Sequence, residues 1–339
     1  MKGVLLINLG SPESTNIKDV RTYLNEFLMD QRVIDIPYWK RWLLIKGIIL
    51  RTRPKKSAAA YQKIWWKEGS PLVVISKRFT KKVQNNTEIP IVLAMRYGSM
   101  SIQKGFEELA KKGVNDVLII PLYPHFAMSS TETVLVKAEE IRKSKFPSIK
   151  TTDIPHFYNE PRYIKAMSDN IKEHLLDFNY DHILFSYHGI PERHIYKTDP
   201  TGNHCKIDKS CCEQQSVAHN TCYRHQCFET TKEIVKCLEL EEGTYSNSFQ
   251  SRLLKDPWLK PYTDFELIRL AEEGTKKLAV ITPAFVADCL ETLEEIAMEG
   301  KEEFLEAGGT AYKHIPCLND NDAWVAVLNT WIDNWISKN

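Results

Sequence analysis

Leu109-Ala110-Lys111-Lys112-Gly113 leading into Val117-Leu118-Ile119-Ile120-Pro121-Leu122-Tyr123, and Leu270-Ala271-Glu272-Glu273-Gly274 leading into Leu278-Ala279-Val280-Ile281-Thr282-Pro283-Ala284, are two versions of one pattern. Each reads as a helix closed by glycine and followed by a short, nearly continuous apolar run, the mark of a parallel strand buried on both faces. Similar runs occur at 4–9 (VLLINL), 91–96 (IVLAMR) and 183–187 (ILFSY), with longer helical patterns between them. The first and fourth runs also end alike, in Leu9-Gly10-Ser11-Pro12 and His188-Gly189-Ile190-Pro191. The fold class is therefore α/β: two related, doubly wound halves with parallel sheets, meeting near residue 150. In such sheets ligands bind beyond the carboxyl ends of the strands. Asn8, Ser11, Arg96, Tyr97, Tyr123 and His188 occupy those positions, and two facing halves would bring them to one cleft.

The 339 residues suffice for two domains of ordinary size. With 45 Lys and Arg against 44 Asp and Glu, the net charge of +1 supplies no general field for nucleic acid. The N-terminus lacks the long apolar run and cleavage site of a signal peptide, and no segment approaches the roughly 18 apolar residues of a membrane span. The expected location is the cytoplasm, where eight cysteines are not expected to form disulfides.

Four constellations carry chemistry. His188 stands at a strand's carboxyl end in Leu184-Phe185-Ser186-Tyr187-His188-Gly189-Ile190-Pro191, where an imidazole can accept a proton, bind a metal or serve structurally. In Pro283–Glu299, a strand end running into a helix, Asp288, Glu291, Glu295 and Glu299 are spaced three, four and four apart, so they share a face. Such an acidic ladder suits a hard cation shedding water stepwise, while Glu294, Glu302 and Glu303 read as solvated. Cys205, Cys211, Cys212, Cys222 and Cys227 supply five thiols where a [2Fe-2S] cluster or structural zinc needs four, redox-inactive free thiols being the alternative. Finally, residues 37–51 with Arg53, Lys55 and Lys56 mix aromatics such as Trp39 and Trp42 with aliphatics and cations. This mixture fits a packed amphipathic helix, peripheral contact with a membrane, or a segment flanking an apolar, anionic ligand.

Taken together, these residues resemble the ferrochelatase family, which inserts ferrous iron into a porphyrin in heme synthesis. LFSYHGIP resembles the family's signature around its catalytic histidine, and PAFVADCLETLEEI its acidic active-site helix. Further matches run in order from Asn8-Leu9-Gly10-Ser11-Pro12 through Tyr61, Gly69-Ser70-Pro71, Arg96-Tyr97, Tyr123-Pro124 and Gln250-Ser251-Arg252 to Pro257-Trp258-Leu259. The resemblance implies a class II chelatase-like fold of two Rossmann-like domains. These would be 1–150 with a returning C-terminal helix at 320–339, and 151–319 carrying the histidine, the Cys-rich insert and the acidic helix.

It also implies His188 and Glu291 as the catalytic pair, both able to meet the metal. Glu295 and Glu299 would continue the path of the Fe2+ substrate, and Leu9, Tyr61, Ser70, Arg96, Tyr97, Tyr123 and Trp258 would line the porphyrin pocket. Cys289 stands where many relatives have histidine. The internal cysteines resemble those of bacterial members that hold a [2Fe-2S] cluster, with either Cys211 or Cys212 as the spare. The implied lyase reaction is insertion of Fe2+ into protoporphyrin IX with release of two protons. His188 would be the base and Glu291 its relay, with Arg96, Arg53 and Lys55 near the propionates. Coproporphyrin ferrochelatase, cobalt chelatase and a non-enzymatic tetrapyrrole-binding redox sensor are the alternatives. The oligomeric state is not readable from these residues.

Overall fold

The computed structural model describes residues 1–253 and 256–338, with the backbone alone at residue 209. Position 339, the last of the expected C-terminal span, lies outside the described residues. The chain divides into two compact units, the first comprising residues 1–123, 128–155 and 319–339, the second 124–127 and 156–318.

In the first unit the strands are β1 (Lys2–Asn8), β2 (Ile91–Met95), β3 (Asp116–Pro121) and β4 (Lys150–Asp153), in the order β2-β1-β3-β4 and all parallel. The second unit has β5 (His182–His188), β6 (Tyr245–Gln250), β7 (Lys277–Ile281) and β8 (Ala311–His314), in the order β6-β5-β7-β8, again all parallel. The winding is the same in both: the first strand of each unit is flanked by the second and third. Parallel neighbours require crossover connections, and helices supply them. Two Rossmann-like units result.

The paired helix ends close alike. Gly113 and Gly274 have φ of 78° and 108°, a left-handed conformation that glycine reaches without a Cβ clash. Leu109 O accepts from Val114 N at 3.1 Å, and Leu270 O from Thr275 N at 2.9 Å. These six-residue closures place the chain at the start of β3 and β7. Beneath the strands, Leu5, Ile7, Phe106, Leu109 and Ile119 belong to one core, and Leu184, Leu267, Leu278, Val280 and Phe304 to the other. The helix Asp322–Ser337 packs within the first unit: Trp324 stacks on Phe79 at 5.7 Å, and Lys2 Nζ donates to the carbonyls of Trp335 and Ile336.

Three strands escaped the apolar-run reading. β4 (KTTD) and β8 (AYKH) pair on one side only, β4 largely exposed and β8 half-exposed, so neither needs apolar residues on both faces. β6 (YSNSFQ) is buried toward its end but satisfies Ser248 and Gln250 with hydrogen bonds. Among the described residues, no helix is long and apolar enough to cross a membrane.

The loops after β1 and β2 are joined by backbone bonds from Arg96 N to Asn8 O, 2.8 Å, and from Tyr97 N to Leu9 O, 2.9 Å. This approach leaves no room for a side chain at Gly10, where φ is 109° and a Cβ would lie 2.1 Å from Tyr97 O. Gly10→Ala is expected to lower unfolding free energy by at least about 2 kcal/mol through combined strain and displacement, read as a reduced midpoint in urea denaturation.

Candidate functional site

β5 delivers His188 to its carboxyl end, in register with Gln250 at the end of β6. Gly189 N donates to Gln250 O at 2.7 Å, and a Cβ at Gly189 would sit 2.7 Å from that same oxygen, so glycine permits the turn. The Pro257-Trp258-Leu259 segment closes against it: Leu259 N donates to Ile190 O, Glu192 N to Pro257 O, and Trp258 bridges Pro191. Trp258 Nε1 donates to Leu253 O at 2.8 Å.

His188 Nδ1 lies 2.7 Å from its neighbour's carbonyl, Gly189 O. A carbonyl only accepts, so Nδ1 carries a proton, and in the neutral ring the lone pair is on Nε2. The ring meets Phe285 edge to face at 6.2 Å, and His188 O accepts from Tyr223 Oη at 2.8 Å.

The acidic helix begins beside this strand end. The segment Glu291–Glu299 is a π-helix, a form rare except at single wide turns and often functional. In a wider turn, residues four apart come closer to alignment, so Glu291, Glu295 and Glu299 follow one line. Glu291 and Glu295 are half-buried and Glu299 exposed. The expectation of a solvated Glu294 fails: it is buried at 7% exposure, because π-winding changes which positions face the body. Glu302 is exposed and Glu303 half-buried. Asp288 is buried and accepts from Thr292 Oγ1 at 2.8 Å.

Gln250 joins strand to helix. Its Oε1 accepts from Ser186 Oγ at 2.9 Å, which orients the amide. Its Nε2 then donates to Glu291 O at 2.9 Å and Glu295 Oε2 at 3.4 Å. Ser251, with φ of 66°, also donates to Glu295 Oε2. Gln250 and Ser251 were matched as sequence text, but nothing in their residue types revealed this task.

In the first unit, Arg96 and Tyr97 share a partner that sequence reasoning missed, Asp30. Its Oδ2 accepts from Arg96 Nη2, Thr133 Oγ1 and Tyr97 Oη, the last at 3.0 Å. Burial opposes ionisation of Asp30, but the Thr133 hydroxyl, the Arg32 amide and the Arg96 guanidinium together hold its carboxyl below the usual range. Arg96 is thus engaged in an ion pair. Leu9 is half-buried beside this group through its carbonyl bond to Tyr97. Tyr61, buried, sits edge to face on Trp65 at 5.9 Å, and buried Ser70 precedes the helix Pro71–Gln84. Tyr123 follows β3 and is half-buried.

Arg53, Lys55 and Lys56 are exposed. So are Tyr38, Trp39, Trp42, Leu43 and Ile48, on a short helix and a π-helix spanning Tyr38–Ile49. Arg41 is instead buried and donates to the carbonyls of Ile34 and Ile36.

The Cys-rich segment forms a compact knot in the second unit. Cys205, Cys211, Cys222 and Cys227 are buried and Cys212 half-buried, all with free thiols. Cys222 makes side-chain hydrogen bonds with both Cys205 and Cys212, and Cys211 makes one with Cys212. Burial pushes the Cys205 thiol up to about 11. The Cys222 contact and then burial raise that of Cys212. Among the described residues, no group of three or more His, Cys, Asp or Glu is arranged to hold a metal ion. The thiols touch in pairs, and the ladder carboxylates are spread along a helix one turn apart.

Burial drives the Glu295 carboxyl up to about 7 from 4.5, against the Ser251 hydrogen bond and with the help of Glu291. Between about pH 4.5 and 7 the folded chain holds a proton that the unfolded chain has released, so stability falls as pH rises through that window. Glu295→Gln is expected to remove this fall, which is on the order of 3 kcal/mol. Urea denaturation at pH 5 and pH 8 measures it, and an unchanged pH dependence in the variant contradicts the assignment.

The ferrochelatase family model matches residues 1–335. The chain is 47% identical over 329 residues to "Ferrochelatase" of Pseudomonas fluorescens (strain SBW25), covering 96% of each chain. To "Ferrochelatase" of Opitutus terrae it is 46% identical over 338 residues, covering 99% of this chain and 98% of the relative. Among solved structures, SirB from Bacillus subtilis with Fe3+ superposes with a TM-score of 0.54 at 10% identity, over 98% of this chain and 94% of that one; this likeness shows the fold alone. A strand ending in His188, an acidic π-helix beside it and near-complete coverage at this identity agree: the chain belongs to the ferrochelatase family.

Proposed function

We infer that this protein inserts ferrous iron into a porphyrin in heme biosynthesis, with protoporphyrin IX as its substrate. In the balanced reaction, one Fe2+ replaces the two N–H protons of the free base, and two protons leave. The observation that carries the residue assignment is the oriented amide of Gln250, which stands in register with His188 and bonds the backbone of Glu291 and the carboxylate of Glu295.

His188 Nε2 is assigned as the base for at least one pyrrole proton, since Nδ1 is committed to Gly189 O. Glu291 holds or relays that proton, and both side chains offer the incoming Fe2+ replacements for its lost waters. Glu295 and Glu299 continue the approach of the cation. Leu9, Tyr61, Ser70, Arg96, Tyr97, Tyr123 and Trp258 are assigned to the porphyrin. Binding energy from its periphery sustains a bent ring whose nitrogen lone pairs an approaching cation can reach. Because Arg96 already pairs with Asp30, it offers the propionates only the donors that pair leaves free.

The Cys-rich segment we assign to a [2Fe-2S] cluster held by four of its five thiols. The donor set fits in chemistry: five soft ligands, four of them buried, with contacts linking Cys205, Cys222, Cys212 and Cys211. When bound, the cluster supplies one-electron redox chemistry. The exposed Trp39, Trp42, Leu43 and Ile48, flanked by exposed cations, support peripheral contact with a membrane from the cytoplasm.

His188→Ala is expected to lower kcat for iron insertion by about a hundredfold or more, with porphyrin binding retained; Glu291→Gln is expected to fall in the same direction. An anaerobic assay comparing protoporphyrin and coproporphyrin, each with Fe2+ and Co2+, checks both rates and substrate. Unmodified rates in either variant contradict its role. In a second test, vesicles containing anionic lipid should carry the protein upward in flotation, and Trp39→Ala with Trp42→Ala should abolish this. Equal flotation of both proteins rules the contact out.

A further inference from the structure

Arg21, Thr22 and Asn25 of the helix Ile17–Leu28, with Lys46, Leu50 and Arg51 of the helical run Leu43–Ile64, line a cavity of about 630 Å3. All six lie in the first unit, and none is assigned above to iron or to the porphyrin. The volume is that of a small-molecule site. Its chemistry is one-sided: three cations, two neutral polar side chains and a buried leucine, with no carboxylate in the lining. Arg32, Arg78 and Arg142 of the same unit pair with Glu132, Glu68 and Glu139. Among the described residues, Arg21, Lys46 and Arg51 have no ion-pair or hydrogen-bond partner. Like charges gathered on one concave surface raise the local concentration of anions there.

The neutral groups narrow the ligand further. Thr22 Oγ1 donates to Lys18 O at 3.0 Å, so its lone pairs are left to accept. Asn25 Oδ1, an acceptor alone, is buried without a hydrogen-bond partner, an uncommon state that a donor on a ligand relieves. Cations beside acceptors suit a molecule with an anionic phosphate and free hydroxyls. The cavity also continues into an apolar surface. Trp39, Leu43, Lys46 and Leu50 follow at spacings of four, three and four, close to one face of the helical run. Trp39 and Leu43 on that face are exposed, as are Trp42 and Ile48 nearby. A ligand seated among the cations therefore meets exposed aromatic and aliphatic side chains at the cavity's edge, the arrangement that an amphiphile requires.

Resting on the reading of Tyr38–Ile49 as a membrane contact, we propose that this cavity is a binding site for one anionic phospholipid of the phosphatidylglycerol type, with its acyl chains toward Trp39 and Leu43. Arg21 and Arg51 take the phosphate, for which a guanidinium is a fork-shaped partner. Lys46 adds a third charge, and the headgroup hydroxyls donate to Asn25 and Thr22. A bare charged patch answers only to surface potential; a cavity with acceptors also distinguishes one headgroup from another.

The full chain is tested by flotation with vesicles of phosphatidylcholine, with or without phosphatidylglycerol. Calorimetry follows its binding of dihexanoyl phosphatidylglycerol below the micelle-forming concentration, and of inorganic phosphate. Unmodified protein should float with the phosphatidylglycerol vesicles and bind the soluble lipid one to one, at least about tenfold more tightly than phosphate. Each cation near an anionic surface contributes about fivefold in affinity. Arg51→Gln should therefore weaken vesicle binding about fivefold. Arg21→Gln, Lys46→Gln and Arg51→Gln combined should weaken it on the order of a hundredfold and abolish binding of the soluble lipid. Lys104→Gln, Lys111→Gln and Lys150→Gln combined remove equal charge from exposed positions of the same unit outside the cavity, and should leave the soluble-lipid binding intact. Equal losses in the two triple variants, soluble-lipid binding that survives in the cavity variant, or phosphate bound as tightly as the lipid overturns the headgroup site while leaving the membrane contact intact. Unmodified protein that floats with neither vesicle overturns both readings.

Discussion

A single primary amide constrains the geometry of the second unit. Gln250 is 3% exposed, and every one of its polar atoms that meets a partner does so in a fixed sense: oxygen toward the Ser186 hydroxyl, nitrogen toward the Glu291 carbonyl and Glu295 carboxylate. Ser186 also bonds Thr263, which bonds Ser248. Buried networks of this kind are stabilising when complete and costly when one member is missing. Here the network ties the ends of β5 and β6, one carrying His188, to the first turn of the acidic helix. The strand that ends in His188 and the carboxylate line therefore share one rigid support instead of two independent loops.

The acidic line is electrostatically unfavourable in the absence of a cation. Glu291 helps raise the Glu295 carboxyl, and burial raises it further. Like charges at helical spacing destabilise, and a π-turn is itself uncommon. Such costs concentrate where structure serves chemistry. A carboxyl that burial has raised to about 7 takes up a proton more readily than an ordinary carboxyl, and a line of carboxyls offers oxygen ligands to a divalent ion, the two capacities that the proposed exchange of Fe2+ for pyrrole protons calls for.

The Cys-rich knot is organised differently. Its backbone is held by imidazoles, an arginine and aspartates, leaving thiols in contact with thiols. Tyr223, at the start of the helix Tyr223–Leu238 that also carries Cys227, donates to the carbonyl of His188. A hydrogen bond within the same unit thus joins the knot to the strand end that carries His188, a short physical path between the two.

The sequence by itself determined the α/β class, the repeated helix-glycine-strand unit, and the placing of His188 at a strand's carboxyl end and of Glu291, Glu295 and Glu299 on one helix, because apolar periodicity and local spacing are encoded within a few residues. It also located the five thiols. It could not locate β4 and β8, whose edge positions relax the demand for apolar residues, or β6, whose buried polar side chains are satisfied only by partners such as Thr263 and Ser186. Nor could it reveal that Asp30 meets Arg96 or that Glu294 is buried. The first depends on residues 66 positions apart in the chain, and the second on a helix wound more widely than spacing rules assume. Hydrogen-bond partners distant in sequence are chosen by the packed fold, so only the tertiary structure could decide which way Gln250, His188 and the paired cysteines point.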